Sequence, residues 1–101
     1  MNEITDLRDD CVARLDGALG LPPEQLGQQV DVVEREVARL RDALIQRLRR
    51  HELPDREPLD KVNAALSLIV GVEYPVAGLQ RKSLEQARDT LREVQLEPAA
   101  H

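Results

Sequence analysis

The residues best able to do chemistry in this chain stand together in one short stretch. Glu73, Tyr74, Pro75 and Gly78 are followed at once by Arg81 and Lys82, so the only aromatic ring, a carboxylate and two cations share a segment interrupted by a proline and a glycine. Tyrosine and arginine carry much of the energy at protein interfaces, which makes Tyr74, Glu73, Arg81 and Lys82 the candidate partner-binding residues. The plainer alternative is that Tyr74 covers the end of a core with its hydroxyl in water while Pro75 stops a helix. A second constellation lies just before it. Asn63, Ser67 and Gly71 recur every four residues as a thin strip on an otherwise apolar helix. Such a strip either lines a polar ligand pocket or lets another helix approach closely, and close approach is the commoner use of small residues at this spacing.

The remaining reactive types do not assemble into a catalytic set. Cys11 is the only cysteine, which excludes an intramolecular disulfide or a cysteine metal cluster, and it falls in the apolar series Ile4, Leu7, Cys11, Leu15 with no histidine nearby to activate it. It is expected to be a small buried hydrophobe in a reducing compartment. His51 follows Arg47, Leu48, Arg49 and Arg50, and His101 stands at the end of the sequence, so neither completes the Glu-x-x-His pair that bundle metal sites use. The phosphate-cradling glycine motifs are absent. Acids and bases three apart, Glu85 with Arg88 and Asp89 with Arg92, read as solvated surface pairs. No metal, cofactor or catalytic residue is expected, and the chain is read as non-enzymatic.

Composition narrows the partners further. With neither Phe nor Trp, the chain lacks the stacking platforms that single-stranded nucleic acids, sugars and planar cofactors favour. The net charge of −5 is unevenly spread: the first 34 residues hold eight acids against two bases, and residues 35–56 hold four against seven. The basic centre admits a nucleic-acid reading through Arg39, Arg49 and Arg50. Against it, Arg47, Arg49 and Arg50 stand where cations complement the negative end of a helix dipole, and the acidic overall balance disfavours nucleic acid.

These residues must be positioned by helices. Leu26, Val30, Val33, Val37, Leu40, Leu44 and Leu48 alternate at spacings of four and three, the pattern of a long helix packed lengthwise against others. The spacing and the proline and glycine signals predict four helices: about Ile4 to Leu19, ended by Gly20; Pro22 or Pro23 to about His51; Leu59 to Tyr74; and Ser83 to about Leu96. Leu53 to Pro58 connects the second and third, with Pro54 and Pro58 as breakers. Ser83-Leu84-Glu85-Gln86 matches a capping box, although Pro75 could open the last helix instead. The third helix, with Leu59, Val62, Leu66, Ile69 and Val72 in one row and Ala65, Leu68 and Val70 widening it, is expected to be central.

A single helical domain over residues 1–96, with a frayed tail at 97–101, fits the chain length of 101 residues. The seam of the second helix covers about 33 Å, against about 22 and 20 Å for the apolar rows of the first and third, at roughly 1.5 Å rise per residue. Unless the third and fourth helices stack end to end, part of it is left over. The expected architecture is therefore an all-α antiparallel helical bundle of about four helices with one long central helix, completed by homodimerisation. The acidic start, Met1-Asn2-Glu3-Ile4, is unlike a secretory signal, and the longest apolar stretch is far too short to span a bilayer, so no membrane insertion and a cytoplasmic location are expected. The function expected is a helical protein–protein interaction module, an adaptor or regulator binding itself and a further protein. The alternatives are a small-molecule binder or enzyme using the Asn63 strip or the Tyr74 loop, and a nucleic-acid-associated regulator.

Overall fold

The computed structural model describes residues 3–53, 55–70 and 79–94. Four helices account for nearly all of them: α1 (Glu3–Leu19), α2 (Pro23–Arg49), α3 (Glu57–Val70) and α4 (Leu79–Arg92). No strand occurs among the described residues, and none of the helices is long and apolar enough to cross a membrane.

The ends of the helices follow local chemistry. Pro22 is the N-cap of α2 in extended conformation, and Pro23 opens the helix, where a missing N–H costs nothing. At the other end α2 stops at Arg49, two residues short of the expected His51. There the amide of His51 donates to the Leu48 carbonyl at 3.1 Å and that of Glu52 to the Arg47 carbonyl at 2.9 Å. These two bonds form a Schellman closure, which requires a left-handed residue after the cap. His51 takes that role at φ 58°, a region where histidine is commoner than most non-glycine residues. In place of the apolar contact that usually accompanies this closure, Arg47 Nε meets Glu52 Oε2 at 3.3 Å.

Two expectations about boundaries are corrected. Pro58 does not break α3 but lies in its first turn, because the helix opens at Glu57, whose amide donates to Asp55 Oδ1 at 2.9 Å. Ser83 does not cap α4, which begins at Leu79 and carries Ser83 within it. The expected end of the third helix at Tyr74, and Leu96 in the fourth, lie outside the described residues.

Packing is cyclic: α1 lies against α2 and α4, and α3 lies against the same two. At about 40 Å by its rise per residue, α2 runs nearly the whole 43 Å length of the molecule. The other two dimensions, 22 and 20 Å, suit two helices beside two at ordinary interaxial spacing. α1 folds back onto the first part of α2 after three residues, and α3 returns along its last part through residues 50–56. Between them they cover the seam. Leu26, Val33, Val37, Leu40 and Leu44 are fully buried within one chain, and only Val30, one turn after Leu26, and Leu48, at the end of the seam, are half-buried. No fully apolar stripe of α2 is therefore left over, since α1 and α3 both pack against it and bury these residues within one chain.

The rest of the core is shared evenly: Ile4, Cys11, Leu15 and Ala18 from α1, Leu59, Val62, Ala65 and Ile69 from α3, and Leu84, Ala87 and Leu91 from α4 with Val94 just beyond it. Among the described residues no polar or charged residue is buried. The third helix is not central. Its Leu66 and Leu68 are half-buried, Asn63, Ala64 and Ser67 are exposed, and Val70 is 40% exposed, because α2 and α4 occupy only one side of it.

Two expected outcomes follow from this packing. Leu40→Ala should cost roughly 2 to 5 kcal/mol, and Leu66→Ala distinctly less, when urea midpoints are compared; equal losses would contradict the burial order. A Cβ added at Gly27, within α2, would meet nothing within 4 Å. Gly27→Ala should therefore stabilise by about 0.5 to 1 kcal/mol through helix propensity alone, read as a raised thermal midpoint.

Candidate functional site

Of the six residues of the Tyr74 constellation, two lie among the described residues. Glu73, Tyr74, Pro75 and Gly78 lie outside the described residues, as does Gly71 of the small-residue strip. Arg81 and Lys82 sit in the first turn of α4 and diverge. Lys82 is exposed. Arg81 is half-buried, and its guanidinium donates from Nη1 to the Leu19 carbonyl and from Nη2 to the Leu21 carbonyl at 3.3 Å. The sequence suggests a solvated partner-binding cation; the structure instead ties it to the end of α1. The last carbonyls of a helix lack intrahelical donors and carry the negative end of its dipole, so a guanidinium within reach satisfies both. Nothing local signals this contact, since its partners are about 60 residues away.

The same logic recurs at the far end of α4. Arg8 of α1 donates from Nη1 to the Val94 carbonyl at 2.6 Å, and Lys61 of α3 from Nζ to the Glu93 carbonyl at 3.4 Å. Midway, Asp16 accepts from Arg88 Nη1 at 3.1 Å and from Arg92 Nη2 at 2.9 Å. Arg81 near Leu19, Arg88 at Asp16 and Val94 at Arg8 show that α1 and α4 run in opposite directions. Arg88 does not settle on Glu85, as its spacing suggests, but reaches across to α1. Hydrogen bonds to Asp89 and then to Asp16 hold it still more firmly cationic.

Between these ties lies an open groove of about 340 Å³, lined by Arg8, Asp9, Val12, Ala13, Asp16 and Arg92. Its charged groups face partners already: Arg8 Nη2 meets Asp9 Oδ1 at 3.0 Å and Arg92 holds Asp16. Among the described residues no group of three His, Cys, Asp or Glu side chains could hold a metal ion.

Cys11 is fully buried, and its thiol is pushed up to about 12 by desolvation first, then by Glu36 and Asp10, with Arg14 opposing. It is thus held protonated and poorly nucleophilic at neutral pH. At the basic end of α2, Arg47 is engaged with Glu52 and Arg39 with Glu36 at 3.7 Å, while Arg49 and Arg50 are exposed.

The small-residue strip is exposed. Asn63 and Ser67 lie on the solvent face of α3 with Ala64 and Val70, beyond the exposed Glu57 and Asp60 of its first turn. The part of that face beyond Lys61 has an unusual electrostatic character for this protein. No charged residue occurs between Lys61 and Glu73, in a chain of which 33% is charged. The exposed sides of α1, α2 and α4 all carry both acids and bases.

Arg81→Ala should lower stability by roughly 1.5 kcal/mol, since hydrogen bonds to charged groups contribute about that much, and Arg81→Lys by less. A midpoint unchanged in Arg81→Ala would show that the tie contributes nothing. Native Cys11 should resist a colorimetric thiol reagent at mildly alkaline pH and react only at the unfolding rate. Because the folded thiol titrates near 12 and the unfolded one near its ordinary 9.0, the unfolded chain releases this proton first, and this contribution to stability should fall as pH rises through that window. Against known proteins, no family model matches the chain, and neither a curated protein nor a solved structure matches it.

Proposed function

We propose that the chain is a non-enzymatic helical interaction module, an antiparallel four-helix bundle that docks through the solvent face of α3 and has a second copy of itself as its first partner. The observation that carries this reading is the uncharged face of Asn63, Ala64, Ser67 and Val70. Charged side chains resist desolvation, so a surface free of them is the easiest on this molecule to bury against another protein. Small side chains there let a second helix come close. The seam of α2, closed within the chain, no longer supports association, so the interface moves from α2 to α3. The uncharged part of that face, from Asn63 to Val70, runs about 10 Å at roughly 1.5 Å per residue, so the contact it offers is at the low end of interface sizes and binding is reversible. As part of the same reading the module works in the cytoplasm, in keeping with a lone unpaired cysteine.

Light scattering coupled to size exclusion, run from low to high micromolar concentration, tests the proposal. Average mass should rise with concentration in the wild type. Ser67→Glu should hold the mass at one chain while leaving the thermal midpoint nearly unchanged, because Ser67 is exposed. A wild-type mass of one chain at every concentration rejects self-association, and a Ser67→Glu protein that associates like the wild type removes α3 as the interface.

A further inference from the structure

We draw no further inference here: the strongest candidate, the open groove between α1 and α4 floored by Val12 and Ala13, has a rim whose two arginines and two aspartates are already paired with one another or with a main-chain carbonyl, and nothing in the structure shows what would occupy it.

Discussion

The apolar stripe of α2 has to be covered along its whole length by helices roughly half as long, and most of the architecture answers that requirement. One short helix cannot reach from Leu26 to Leu48, so α1 approaches from one end and α3 from the other, and α4 fills the remaining side by packing on both. Among the described residues the core holds only aliphatic side chains and Cys11, none large enough to fill a wide gap alone. Closure depends instead on many small aliphatic contacts, each worth little alone and a great deal together. Every helix accordingly supplies a similar share, with Cys11 and three alanines, Ala18, Ala65 and Ala87, among the fully packed positions.

With the core wholly apolar, polar interactions are concentrated at helix ends and along the α1 and α4 margins. Arg81, Arg8 and Lys61 each leave their own helix to reach carbonyls at the end of another. Among the described residues the C-terminus of α2 closes on itself, through backbone bonds and the left-handed His51. Helix termini expose main-chain groups that burial leaves without water, so they need either a visiting cation or a local turn of this kind. Both solutions occur in the same small molecule.

Periodicity revealed what is repeated locally and concealed what depends on distance. The alternating spacing of Leu26 through Leu44 identified the stripe of α2, and the Pro22–Pro23 pair its start, because helical spacing and missing N–H groups act within a few residues. The even burial of Ile4, Cys11 and Leu15 was legible for the same reason. The extent to which the stripe is covered was not, since it turns on how α1 and α3 pack together against α2, and no local pattern encodes that packing. Arg81 looked solvated because its partners belong to a turn early in the chain. Ser83 looked like a cap because its motif is right, yet packing carries α4 through it from Leu79. The four-residue spacing of Asn63 and Ser67 suits close packing of a second helix, and the sequence does not reveal that both stand exposed among the described residues. Glu73 and Tyr74 stand outside the described residues.

The arginine contacts between α1 and α4 bear on a different problem, that of sliding. A core built from leucines, valines and alanines at helical spacing offers nearly equivalent knobs one turn further along, about 5.4 Å away. Packing alone would discriminate weakly between such positions. Arg81 at the end of α1, Arg88 and Arg92 on Asp16, and Arg8 on the last carbonyls beyond α4 form three stations along one line. Displacing α4 by a turn would unseat all three at once and leave charges facing the wrong groups. The surface polar network thus acts as an index mark: it contributes modestly to how strongly the helices associate and much more to which of several near-degenerate alignments they adopt.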